Sequence, residues 1–178
     1  MTEHELIKGC IRQEPACQRS LFEKHAGRMM GVCLRYSQDN MEAEDMMQDA
    51  FIKVFQYINQ FKFEGSFEGW IRRIVVNTCI RHLERKKMSF KEIEDNQSGM
   101  PQIDPYAFTH LGEEDLMKLI SALPEGYRTV FNLSVIEGYS HDEIAEMLHI
   151  QAGTSRSQLV KARKMLQTQI LQLQKIAV

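Results

Sequence analysis

The chain has 178 residues, 43% of them hydrophobic and 26% charged, with a formal net charge of −2. That length and apolar content suit one large domain or two small ones, and the near-neutral total carries no whole-chain signal for nucleic acid. No apolar run approaches the ~20 residues of a membrane span, and the N-terminus lacks a secretory h-region, so no membrane insertion and a cytoplasmic setting are expected.

Chemistry-bearing clusters are sparse. Cys10, Cys17, Cys33 and Cys79 form no CxxC pair and no zinc spacing. Buried or half-buried free thiols in a reducing compartment are therefore expected. The six histidines are scattered, without an HExxH or similar arrangement. There is no phosphate-cradling glycine loop and no plausible triad, so the chain is expected to be no enzyme and to need no metal or cofactor.

In chain order, apolar residues recur three and four apart and strict alternation is absent, which predicts an all-α protein. Helices are expected near Glu5 to Ile11, Ala16 to Tyr36, Met41 to Gln60 and Ser66 to Lys86. The third of these places Glu44, Asp45, Gln48 and Asp49 near one another, because spacings of three and four share a face. Such carboxylates could serve a partner, a metal or plain solvent contact, and no accompanying His or Asp motif favours the metal. Seven of the fifteen aromatics (Phe51, Phe55, Tyr57, Phe61, Phe63, Phe67 and Trp70) fall within twenty residues. They run into Arg72, Arg73, Arg81, Arg85, Lys86 and Lys87. Aromatic surface beside cations grips single-stranded nucleic acid, by stacking bases and neutralising phosphates. Phe51 and Phe55, at i and i+4, are expected in the core, and so is Trp70. Phe61, Phe63 and Phe67, around Gly65, are harder to bury together.

Residues 89–111, with Ser98, Gly99, Pro101 and Pro105 among Asp, Asn and Gln, lack periodicity and read as a flexible linker. The division expected is thus 1–88, the linker, and 112–178. Helices follow at Glu113 to Ala122 and Pro124 to Glu137, Pro124 suiting a first turn and Gly138 an exit. Ser140 and Glu143 then form a capping box. Ile144, Ala145 and Leu148 give the next short helix an apolar face. After a turn around His149 to Gly153, a last helix buries Leu159, Ala162 and Leu166. Its other side carries Thr154, Ser155, Arg156, Ser157, Gln158, Lys161 and Lys164. Hydroxyl, amide and cationic groups at such a helix start suit the major groove. An ordinary solvated helix would show some of the same pattern.

Charge is unevenly placed. Ala152 to Val178 holds five basic residues and no acid, and Lys62 to Lys91 holds eight basic and three acidic residues. Glu92 to Asp115 holds seven acids and no Lys or Arg, and Tyr36 to Ile52 holds five acids and no base. Two basic blocks separated by an acidic one suggest two nucleic-acid contacts and at least one other partner.

Three segments carry a family resemblance: AEDMMQDAFIKVF (43–55), FEGSFEGWIRRIVVNTCIRHLERKK (63–87) and LPEGYRTVFNLSVIEGYSHDEIAEMLHIQAGTSRSQLVKARKML (123–166). Their order and the linker between them resemble the extracytoplasmic-function (ECF) class of bacterial RNA polymerase sigma factors, over nearly the full chain. The resemblance implies that Glu44, Asp45, Gln48 and Asp49 dock on the clamp of the largest polymerase subunit. It implies that the loop from Phe61 to Phe67 captures a base flipped out of the −10 element, with Lys62, Phe63, Glu64 and Ser66 as candidate contacts. Asn77 would meet a base edge, since an amide both donates and accepts. Arg72, Arg73 and Arg81 would hold phosphates, Arg73 alternatively tying the helix to its own domain. At the −35 element, Arg156, Ser157 and Lys161 would face the groove with Gln158 and Lys164 beside them, and Thr154 would hold a phosphate. The acidic linker would run through the RNA channel. An anti-sigma factor is a further expected partner.

Two departures stand out. Gln151 and Ala152 replace the Ser or Pro and acidic residue common before Gly153, and Ser155 replaces a β-branched apolar residue. A stand-alone helix-turn-helix regulator, binding duplex DNA without polymerase, is the competing class.

Overall fold

The computed structural model describes residues 2–90 and 112–176, and all regular structure among them is helical. The chain splits into two compact units, Met1–Glu92 and Ile93–Val178. Residues 91–111, most of the expected linker, lie outside the described residues.

The first unit has four helices: α1 (Glu3–Ile11), α2 (Pro15–Tyr36), α3 (Asn40–Tyr57) and α4 (Phe67–Phe90). Helix α1 begins two residues before its expected start. Thr2 and Glu5 form a capping box, with the Thr2 N–H donating to Glu5 Oε2 at 2.7 Å. Pro15 opens α2, where a missing N–H costs nothing. Asp39 caps α3, its Oδ1 accepting from the Glu42 N–H at 2.8 Å. The expected run to Gln60 is broken, since Ile58–Gln60 tightens into a 3-10 turn that delivers Phe61 to the core. Ser66 caps α4, its Oγ accepting from the Gly69 N–H at 3.2 Å.

Helices α2, α3 and α4 pack mutually around Leu21, Met29, Val32, Met46, Val54, Ile71, Val75 and Val76. Each such side chain contributes roughly 1.5–3 kcal/mol by leaving water. The four cysteines are free and buried, and Cys79 Sγ lies 3.9 Å from Cys33 Sγ across the α2–α4 contact.

The second unit has α5 (Glu113–Ser121), α6 (Glu125–Phe131), α7 (His141–Leu148) and α8 (Ala152–Ile176). Pro124 is the N-cap of α6 rather than a residue of its first turn. Helix α6 widens into a π turn over Asn132–Ile136, marked by the Glu137 N–H donating to the Asn132 carbonyl at 2.9 Å. Gly138, at φ +77°, then reverses the chain into the Ser140 cap. The core joins Leu119, Ile120 and Leu123 to Ala162, Leu166 and Leu173 of α8. No described helix is long and apolar enough to cross a membrane.

Candidate nucleic-acid and partner interfaces

Helix α3 buries Ala43, Met46 and Ala50, which turns Glu44, Asp45 and Gln48 outward. Met41 and Ile52 are exposed on the same stripe, so the acidic face has apolar ends. Asp49 is only half exposed, and it accepts a hydrogen bond from His82 Nε2 of α4 at 2.9 Å. Lys86 Nζ meets Glu42 at 2.9 Å, and Lys53 Nζ meets Thr78 Oγ1 at 3.2 Å. Three polar bridges thus tie α3 to α4. Burial and the neighbouring Arg81 push the Lys53 pKa below its ordinary value.

The loop after α3 separates aromatics that sequence could not rank. Phe61 and Phe67 turn inward, with ring centroids 4.9 Å apart, and Trp70 lies nearly parallel to Phe67 at 5.7 Å. Phe63 stays outside, 45% exposed, with its ring 5.3 Å from Phe61 and edge-on to His4 at 4.6 Å. Its backbone is left-handed (φ +58°), a conformation that costs a non-glycine residue of order 1–3 kcal/mol. Gly65, at φ +77°, completes the turn without that penalty. Lys62, Glu64 and Ser66 are exposed around Phe63, although the Ser66 oxygen is engaged as the α4 cap.

Along α4, Arg73, Asn77 and Arg81 are exposed at intervals of four, and so form one outward stripe. Arg72 lies off that stripe, half-buried and engaged within the protein. Arg73, for which a tie to its own domain was the alternative, is the exposed member of the pair. The buried positions Ile71, Val75, Cys79 and Leu83 fix this orientation.

In the second unit, the Ser140–Glu143 box starts α7, and Ile144 buries its inner face. His149 leaves α7 in the left-handed region, and α8 begins at Ala152. Thr154, Arg156, Ser157, Lys161 and Lys164 are exposed. Gln158 is half-buried beside Gly126. Lys161 Nζ stands 6.0 Å above the Tyr127 ring, and Ser157 Oγ donates to the Thr154 carbonyl at 2.9 Å. Ser155, expected on the outward side, is fully buried. It shares a 2.8 Å hydrogen bond with His141 Nδ1 of α7. Its spacing of four and seven from Leu159 and Ala162 puts it on the core side, and the histidine satisfies the hydroxyl there. Sequence reasoning passed over Val160, which is 64% exposed between Arg156 and Lys164. The i, i+4, i+8 spacing of 156, 160 and 164 was the available signal.

A helical unit with an acidic stripe and an aromatic, cationic loop is thus followed along the chain by one with a helix-turn-helix. The family model described as Sigma-70 region 2 matches residues 21–88, and that described as Sigma-70, region 4 matches residues 113–166. The chain is 32% identical over 152 residues to the ECF RNA polymerase sigma factor SigE of Mycolicibacterium smegmatis, covering 82% of this chain and 58% of that relative's length. It is 30% identical over 185 residues to the ECF RNA polymerase sigma factor SigW of Bacillus subtilis, covering 94% of this chain and 98% of the relative. Among solved structures, the sigma factor RpoE of Bartonella quintana, in complex with the anti-sigma factor NepR, shares the fold. Its TM-score is 0.56 at 19% identity, over 85% of this chain and 95% of that one. This chain belongs to the ECF sigma factors of bacterial RNA polymerase.

Proposed function

We propose that this sigma factor works through three faces of different chemistry. The α3 stripe of Glu44, Asp45, Gln48 and Asp49 docks on the clamp of the largest subunit of core polymerase. The loop around Phe63, with Lys62, Glu64 and Ser66, receives an unstacked −10 base. Asn77 reads a base edge beside it, and Arg73 and Arg81 hold the strand's phosphates, with Arg72 supporting from the flank. Helix α8 enters the −35 major groove with Arg156, Ser157, Lys161 and Lys164, while Gln158 lies at the edge and Thr154 takes a phosphate at the helix start. Val160 adds an apolar contact suited to a thymine methyl.

One observation carries this reading. Phe63 is the aromatic of the Phe61–Phe67 loop left outside a closed platform, ten residues ahead of the Arg73–Asn77–Arg81 stripe in the sequence. Extracting a base costs a few kcal/mol, and stacking returns about 1–3 kcal/mol per base. Capture of a strand that polymerase has already begun to open is therefore favoured over melting by the free protein.

In this reading residues 1–88 work as region 2 and 112–178 as region 4. The acidic segment that follows α4, residues 91–111, is the stretch that would pass through the RNA channel. The protein works in the cytoplasm, and an anti-sigma factor restrains it, as NepR is found with the Bartonella protein. Transcription of a genomic DNA library by core polymerase, with and without this protein, tests the function by mapping RNA 5′ ends. New starts sharing a spaced two-part motif are expected. None, with core shown active under another sigma, would favour a regulator that binds DNA alone. Arg156→Ala is expected to spare polymerase binding and weaken −35 dependence by about 1–3 kcal/mol, read from transcription of paired promoters with intact and scrambled −35 elements.

A further inference from the structure

His25, on α2, is 2% exposed, and neither ring nitrogen has a hydrogen-bond partner among the described residues. Its ring meets Phe67 edge-on at 5.9 Å. Phe67 stacks on Trp70 and packs against Phe61, the ring on which Phe63 rests. The imidazole is thus a foundation stone of the aromatic platform. Its charged neighbours come from three helices: Glu3 of α1, Lys24 and Arg28 of α2, and Glu68 of α4. These are already paired, Lys24 with Glu3 at 3.2 Å and Arg28 with Glu68. Each carboxylate near the ring is therefore committed to a cation. Among the described residues, a proton on His25 would find neither a hydrogen-bond acceptor nor an uncommitted counterion.

We propose that His25 is an acid-sensitive element beneath the −10 loop: the neutral ring lets α2 close on Phe67, and protonation loosens that contact and unseats Phe63. Burial, helped by Lys24, holds its pKa below the ordinary value of 6.5. The unfolded chain accepts this proton more readily than the folded one. Stability from the neutral contact is therefore full above pH 6.5 and declines as pH falls from there through the lowered folded value. The platform is predicted to open in mild acid. The consequence for promoters rests on the proposed −10 role of Phe63, whereas the opening itself does not.

Trp70 is the single tryptophan of the chain and lies against Phe67, so its emission reports the platform. In the full chain, the His25 ring-proton NMR shift and acrylamide quenching of Trp70 would be followed from about pH 8 to about pH 5. His25 is expected to titrate below the ordinary imidazole range, with Trp70 becoming about twofold more quenchable over the same interval. His25→Leu, similar in size and unable to take a proton, is expected to flatten the Trp70 change. An unchanged transition in that variant would assign it to another group and overturn the proposal. Should the variant not fold, the wild-type titrations decide: coincident midpoints support the proposal, and separate midpoints defeat it. Binding of a single-stranded −10 oligonucleotide, measured in parallel with core present, separates the two readings. Platform opening with undiminished capture would keep the switch and remove Phe63 from the −10 site.

Discussion

Asp49→Arg is expected to abolish binding to core polymerase, lowering affinity by two orders of magnitude or more. Removing one partner of a desolvated charge pair costs about 2–5 kcal/mol, and reversing its sign adds repulsion. Asp49 has a second engagement, because its Oδ2 accepts from His82 Nε2 on α4. Loss of binding alone would therefore mix loss of a docking group with loss of an internal bridge. His82→Ala separates them, since it breaks the bridge and leaves the carboxylate. That variant is expected to bind core within a few-fold of wild type, because a partly exposed pair contributes about 0–1 kcal/mol. Binding measured by fluorescence anisotropy with labelled sigma, beside thermal melts of each variant, decides the matter. If His82→Ala weakens binding as much as Asp49→Arg, the docking role lies in α3–α4 geometry and the assigned face is wrong.

Phe67→Ala and Phe63→Ala are expected to fail in opposite ways. Phe67 is 2% exposed and packs against Phe61, Trp70 and His25. Its truncation should destabilise the first unit by about 3–5 kcal/mol in urea unfolding, through lost transfer energy and the cavity left behind. Phe63 has little to lose in packing, so Phe63→Ala should shift stability by less than about 1 kcal/mol. Transcription from a −10-dependent promoter should nevertheless fall about tenfold or more, the equivalent of one lost base stack. A premelted −10 bubble should not rescue it, since capture rather than opening is lost. Normal transcription by Phe63→Ala would move the base-catching role to another group of the loop.

Much of the fold was readable from local pattern, and what escaped has identifiable causes. The long helices α2 and α4 followed from apolar spacing, and α7 from its Ser-x-x-Glu box. Thr2 was missed because Glu3, His4 and Glu5 show no apolar period, so the cap alone marks the start of α1. The apolar run through Ile58 looks helical in any window, although hydrogen bonding tightens there into a 3-10 turn. The π turn at Asn132 is equally silent, because the side-chain pattern barely changes when one extra residue enters the ladder. Phe61, Phe63 and Phe67 are the same residue type. Only the left-handed backbone at position 63 sorts them, and nothing in a phenylalanine announces it. The Asp49–His82 contact joins residues 33 apart, beyond any local window. Ser155 misled because a hydroxyl reads as surface, when its spacing from Leu159 and Ala162 already pointed inward.

The buried bond between Ser155 and His141 acts as a dowel between the first turns of α7 and α8. Methyl-on-methyl packing would hold the two helices together while tolerating some slip, whereas a hydrogen bond near 2.8 Å has a preferred direction. Arg156 and Ser157 follow the dowel immediately, so, with α8 in the groove as proposed, its angle would index how the helix is rotated about its own axis. A small turn there changes which base edge each side chain meets, with no change in the side chains themselves. Two sigma factors with identical outward residues on this helix, one pinned in this way and one merely packed, would then prefer different promoters. On the proposed −35 reading, part of this protein's promoter code would be written where no DNA reaches.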